Sequence, residues 1–272
     1  LNRAYSFGAS IYDDPVEECV DISLAHNLKH FEINLTPRHS HLHTFNDTRI
    51  SHLQYLTQKH GFAFSFHPST SLNIGHSVSY FRQKHLRHIV KCIKTGAQLG
   101  ITHITIHLGN FVGHTIMHYF RREAIKRVVD SLKTLINICE EHQITLALEN
   151  SARLHNGSDI EMLGDNINDF KIIFDQIDSP WLGFCLDIGH ANLNEGALKY
   201  IEHFYDKIKC VHYHDNYGQN DEHLQVGNGT VNWEDITKAL KQVKCKGPFI
   251  SECFKIKPHE ATTLFLKYWE AE

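Results

Sequence analysis

The sequence predicts an α/β fold, a single (β/α)8 TIM barrel over residues 1–272, with its working site at the C-terminal mouth of the strands. Three observations predict it. Strand-like and helix-like runs alternate in eight units along the 272 residues, a pattern that fits a closed parallel sheet and the roughly 250 residues such a barrel needs. The first strand leads into Phe7-Gly8-Ala9-Ser10, which lacks the glycine-rich phosphate turn of a doubly wound fold. No Pro/Gly/Ser-rich linker or charge block divides the chain, and prolines number only six, so one domain is expected.

Taken in order, the strand-like runs fall near residues 3–8, 30–35, 62–67, 101–107, 143–149, 182–188, 208–214 and 248–253. Each is short and rich in β-branched or aromatic side chains. Between them lie amphipathic stretches. Over 79–99, Phe81, His85, Ile89, Cys92, Ile93 and Leu99 follow three-to-four spacing. Over 121–142, Ile125, Val128, Val129, Leu132, Leu135, Ile136 and Cys139 share a face. Gly61, Gly100 and Gly183 are expected at helix-to-strand junctions. Longer loops at 35–45, 109–120, 151–160 and 214–231 are expected to wall the site.

An apolar content of 42% and a charged content of 21% are those of a soluble globular protein. The net charge of −4 and the lack of a Lys/Arg stripe rank nucleic acid behind a small molecule as partner. The seven cysteines show no CxxC spacing. Cys92 and Cys139 fall in helical patterns, and Cys185, Cys210 and Cys253 in strands. Reduced core thiols in a cytoplasmic protein are expected, without thiolate ligation by Cys185 or Cys253. The start, LNRAYSFGAS, has no charged leader followed by an apolar run, and no stretch reaches the length of a membrane span. No membrane partner is expected, and no oligomeric state is predicted.

Histidine is the unusual entry, at 23 residues against 27 Lys plus Arg. His39, His41 and His43 are assigned to a solvated loop. Others end strands: His67 in SFHPS, His107 in ITIHLG and His212 in CVHYHD, beside Glu149 in LALEN, Asp187 and His190 in CLDIGH, and Glu252 in FISECF. In a parallel barrel these converge on one mouth. Burying Glu149 or Glu252 alone would cost several kcal/mol, and a divalent cation would keep both ionised. Asp187 and His190, three residues apart, can reach one ion where strand turns to helix. His212 and His214 share a side of their strand. Asp221 and His223 lie in the next loop, where Gly227 and Gly229 permit tight turns. Ligation is expected of His212, Asp221 and His223. For His214 and Asp215, ligation and simple capping of the strand stand equal.

These motifs resemble those of the xylose isomerase-like TIM barrels, a superfamily that includes endonuclease IV and sugar epimerases. HPSTSLNIGHS, IHLG, LENSA, CLDIGHA, HYHDN, DEHLQVGNG and SEC resemble successive endonuclease IV motifs. The resemblance implies that His67, His107, Glu149, Asp187, His190, His212, Asp221, His223 and Glu252 fill the nine positions of a three-zinc cluster. HDNYGQNDEHLQVGNG followed by Val231-Asn232-Trp233, with Glu32 in FEINL, is equally similar to sugar phosphate isomerases and epimerases. Those hold one ion through four residues that map onto Glu149, Asp187, His212 and Glu252. Two departures stand out. Asn228 replaces a glutamate usual to both groups; the loop after the second strand offers only Arg38 among histidines, and Thr70 falls where a DNA-contacting aromatic would be expected.

The implied cofactor is a divalent metal, Zn or Mn, in one to three ions. The favoured function is a sugar or sugar phosphate isomerase or epimerase. Glu149 and Glu252 would act as opposed acid and base through an enediolate, and His190, Arg153 and Asn110 would bind substrate. The alternatives are an endonuclease IV-like phosphodiesterase and a metal-binding barrel without catalysis.

Overall fold

Eight parallel strands close into a barrel in the computed structural model, which describes residues 5–12, 14–112, 117–154 and 160–271. The strands, in chain order, are β1 (Phe7–Ile11), β2 (His30–Asn34), β3 (Ala63–His67), β4 (His103–Ile106), β5 (Asn110–Val112), β6 (Thr145–Glu149), β7 (Ile160–Met162), β8 (Leu182–Asp187), β9 (Ile208–Tyr213) and β10 (Phe249–Ser251). The barrel runs β1-β10-β9-β8-β6-β4-β3-β2, and β5 and β7 form a separate antiparallel ribbon above it. The helices are α1 (Cys19–His26), α2 (Asp47–His60), α3 (Ser79–Leu99), α4 (Met117–His142), α5 (Ile167–Gln176), α6 (Ile188–Asn192), α7 (Ala197–Phe204), α8 (Trp233–Gln242) and α9 (Pro258–Trp269). Among the described residues, no helix is long and apolar enough to cross a membrane.

Local chemistry sets the boundaries. The Asn46 side chain accepts the Arg49 amide at 3.0 Å and starts α2. Gly100, at φ 82°, ends α3 in the left-handed conformation that an L side chain resists. The first strand begins later than its composition implies, because pairing with β10 starts at Phe7 opposite Phe249; residues 3 and 4 of the expected run lie outside the described residues. Gly183 is not a helix stop. It sits within β8, where a Cβ would meet the Lys209 side chain at 2.2 Å. The loop at 35–45 contains two 3-10 turns, Arg38–Ser40 and Leu42–Thr44. The loop expected at 109–120 begins with β5 and ends in the first turn of α4. Its residues 113–116, and 155–159 of the loop at 151–160, lie outside the described residues.

Alternation divides each strand between two environments. Outward residues pack under the helices: Phe7 and Phe249 with Phe265 and Trp269 of α9, and Phe184 with Phe170, Tyr200 and Phe204 of α5 and α7. Inward residues build layers. Ala147, Cys185, Cys210 and Ile250 form a small buried cluster inside the barrel. Two residues further along the same four strands stand Glu149, Asp187, His212 and Glu252. On the opposite wall the corresponding layer is polar. Glu32 Oε2 accepts hydrogen bonds from Ser65 Oγ at 3.1 Å and Thr105 Oγ1 at 2.8 Å, and two residues beyond these donors lie His67 and His107.

Candidate metal centre

All nine strand-end and loop residues singled out above meet at the barrel mouth, where three groups of potential ligands take them all in; two further groups overlap these, Glu32 with His67, His212 and Glu252, and Cys185 and Cys210 with His212. His67, His107 and Glu149 form one; Glu149, Asp187, His212 and Glu252 form a second; His190, His214, Asp221 and His223 form a third. In each group the ligand atoms lie within 4.8 Å of one another.

Glu149 joins the first two groups. Its Oε2 lies 3.0 Å from both His67 Nε2 and His107 Nε2. Its Oε1 lies 3.3 Å from His212 Nδ1, which is also 3.3 Å from Glu252 Oε1. Asp221 centres the third group, with Oδ2 at 3.2 Å from both His190 Nε2 and His223 Nε2.

Four of these five rings are held by their other nitrogen. Nδ1 donates to the Pro68 carbonyl in His67 (2.9 Å), to Ser151 Oγ in His107 (3.2 Å), to the Asn150 carbonyl in His190 (2.8 Å) and to the Glu252 carbonyl in His223 (2.8 Å). His212 is reversed: Nε2 faces Glu32 Oε1 at 2.9 Å and Nδ1 faces the centre. Fixing one nitrogen on an oxygen acceptor leaves the other as an oriented donor, the usual arrangement around a metal-ligating histidine. The Asn150 side chain ties Asp187 to β6 through two 2.8 Å bonds.

Electrostatics tell the same story. Burial pushes the Glu149 carboxyl up, but the His107 and His212 charges outweigh it and hold it well below the usual range. Burial likewise opposes ionisation of Asp221, and hydrogen bonds from His190 and His223 overcome it. Burial lowers His67 and His223, but contact with Glu149 and with Asp221 respectively lifts each to about 9. Without ions, imidazolium charges balance the buried carboxylates. Asp187 Oδ2 stays buried without a hydrogen-bond partner. A set of neutral imidazoles and carboxylates with an orphaned buried oxygen fits divalent ions, zinc foremost.

The loop after β9 gives the two residues left open different surroundings. Asp215 builds the turn: Oδ1 accepts the amides of Asn216 and Val231, and Oδ2 accepts the Gly227 amide and Trp233 Nε1. His214 joins the third group. His223 adopts φ 49°, a conformation uncommon outside glycine, and its ring stacks between His214 and Phe254.

The centre floors a cavity of about 760 Å³ walled by Tyr12, Phe31, Leu154, Phe254 and Ile256. Lys255 is the only lysine or arginine lining it among the described residues, and the sequence reading missed it. Its signal is the basic run that follows Glu252. Thr70 lines the cavity. Arg153 and Asn110 do not line it. Arg153 reaches the Asp165 carbonyl at 3.4 Å, and exposed Asn110 accepts from Asn73 Nδ2. His39 and His41 are half-buried and His43 exposed in the loop after β2.

The family model described as xylose isomerase-like TIM barrel matches residues 20–267. An uncharacterised protein of Methanocaldococcus jannaschii is 28% identical over 193 residues, 69% of this chain and 70% of that protein. A probable endonuclease 4 of Mycoplasma mobile is 25% identical over 179 residues, 60% of each. Among solved structures, a D-tagatose 3-epimerase-like protein superimposes with a TM-score of 0.84 at 25% identity, covering 97% of both chains. The IolI protein with a bound zinc atom shares the fold, with a TM-score of 0.78 at 16% identity over 97% of this chain and 96% of its own.

Proposed function

The chain belongs to the xylose isomerase-like TIM barrel family, and from that membership we propose that it is a multinuclear divalent-metal phosphoesterase acting on a small sugar-like phosphate ester. The observation that carries this reading is the engagement of Glu149. It is fully buried, and its two oxygens face two different sets of imidazoles. A carboxylate shared in this way would serve two ions as a common ligand, which would leave it poorly placed to take a proton from substrate carbon.

Ions bound here would supply Lewis acidity to a phosphoryl oxygen and make water nucleophilic at neutral pH. The protein's own part is positioning. Glu149, Asp187, His212 and Glu252 would hold one ion, and His67 and His107 with Glu149 a second. The anchored Nδ1 atoms keep the rings from turning away. Exposed Lys255 lines the cavity and would meet a phosphate there. A single lining cation favours a small ester over a duplex, whose backbone demands many phosphate contacts. The test is phosphate release by zinc- or manganese-loaded protein from a panel of sugar phosphates and from bis(p-nitrophenyl) phosphate. Activity that falls at least about 100-fold in Glu149→Gln supports the reading. No release by fully loaded protein overturns it.

A second reading is a metal-dependent sugar isomerase or epimerase. Glu252 favours it, since this carboxylate lines the cavity and faces the same imidazole nitrogen as Glu149. The whole-chain likeness to a D-tagatose 3-epimerase-like protein supports it too. One glutamate would then remove a proton from the carbon beside a carbonyl and the other return it. Incorporation of solvent deuterium into a ketose, abolished by Glu252→Gln and without phosphate release, would select this reading.

A further inference from the structure

The third group contains one donor more than the nine-residue pattern provides. His214 follows His212 by two positions and points into the barrel mouth, fully buried. Both of its ring nitrogens are buried without a hydrogen-bond partner. That sets it apart from His67, His107, His190 and His223, each of which has one nitrogen anchored. Its Nε2 lies 3.2 Å from Asp187 Oδ1 and 3.7 Å from Asp221 Oδ1. Its ring stacks on His223 with centroids 3.9 Å apart. The space it occupies exists only because residue 189 is glycine: a Cβ there would lie 2.0 Å from His214 Cε1. A buried imidazole with no well-formed hydrogen bond, set in a glycine cradle against two carboxylates and two other imidazoles, costs stability unless something binds it.

We propose that His214 is a fourth protein ligand of the third ion, beside His190, Asp221 and His223. This rests on the multinuclear reading above and sharpens it. Four side-chain donors close a tetrahedral zinc site, and closed sites are structural, whereas catalytic sites keep a position open. The third ion then clamps the loop carrying Asp221 and His223 onto α6, which carries His190, and onto His214 just beyond the end of β9. Any open positions belong to the two ions that share Glu149.

The direct test is an anomalous difference map from crystals of the unmodified protein loaded with zinc. The expected result is an ion about 2.0–2.1 Å from a His214 nitrogen, the usual Zn–N distance. An ion bound by His190, Asp221 and His223 with His214 more than about 3 Å away overturns the fourth ligand and leaves the multinuclear reading standing. No ion in this group overturns both. In solution, His214→Ala and His214→Asn should release one ion per chain to a chelator at least about tenfold faster than the unmodified protein, while the remaining ions stay. Equal release from folded variants also overturns the proposal.

Discussion

At the scale of single residues, the site is a set of oriented donors, and the residues that orient them are as testable as the ligands. Glu32 touches no proposed ion but faces His212 Nε2 at 2.9 Å, fixed by Ser65 and Thr105. Glu32→Gln should weaken metal binding about 10–100-fold, the usual effect of losing such a partner, as read by competition with a chelator. Unchanged affinity would remove Glu32 from the design. The nine candidate ligands were legible because each stands at a strand end, in the turn behind one or in the next loop, where a buried charge needs a partner. The support role of Glu32 was not legible, since its partner lies 180 residues away on a strand that reaches it only across the barrel. His214 stayed ambiguous for a related reason: capping and ligation leave the same mark in a sequence, and only burial without a partner separates them.

His30 gives a residue-level pH prediction. Burial, aided by the nearby His103, lowers its pKa from 6.5 to about 3. The folded state therefore prefers neutral His30. Its contribution is complete above pH 6.5 and is lost progressively as pH falls towards 3, with a slope of at most about 1.4 kcal/mol per pH unit. Denaturant titrations of the metal-free protein between pH 7 and pH 4 should show this loss, and His30→Gln should flatten it. An equal slope in the variant would assign the loss to other groups.

At the scale of elements, the ribbon of β5 and β7 and the start of α5 depend on one cation. Arg121 of α4 bridges Glu161, Asp165 and Asp169, and Asp169 also accepts the Gly164 amide at 2.8 Å. Arg121→Met leaves buried Asp169 without its counter-ion and Asp165 with only Arg153, at 3.9 Å, and should cost about 3 kcal/mol in chemical denaturation. A loss below about 0.5 kcal/mol would mean that the carboxylates are served by water. Sequence periodicity found α3 to its ends because Gly100 closes it. The same reasoning misplaced Gly183, whose missing side chain makes room for Lys209 inside the sheet. A glycine needed for close packing and one needed for a left-handed turn look alike until the neighbouring strand is in place.

At the scale of the whole molecule, the barrel concentrates buried carboxylates at one end and leaves their charge to be balanced by protons or by metal. His67 and His223, lifted to about 9, carry protons at neutral pH when no ion is bound. Ion binding must displace those protons, so apparent affinity should rise between pH 7 and pH 9 and level off above. Chelator competition across that range checks the sign; affinity independent of pH would contradict the proton balance. Ions held by side chains that only the fold assembles would stabilise the folded state, so their removal should lower Tm and readdition of zinc should restore it. The fold was legible end to end in the alternation of elements. The division of the mouth into three groups was not, because spacing along the chain does not say which oxygen of Glu149 faces which imidazole.

The most direct test of the multinuclear centre is the number of metal ions per chain, by elemental analysis of protein reconstituted with zinc and freed of excess. Three ions per chain are expected, falling to one or none in Glu149→Gln and to two in Asp221→Asn. A single ion in the unmodified protein, held by Glu149, Asp187, His212 and Glu252 alone, would contradict the account and leave the isomerase reading in its place.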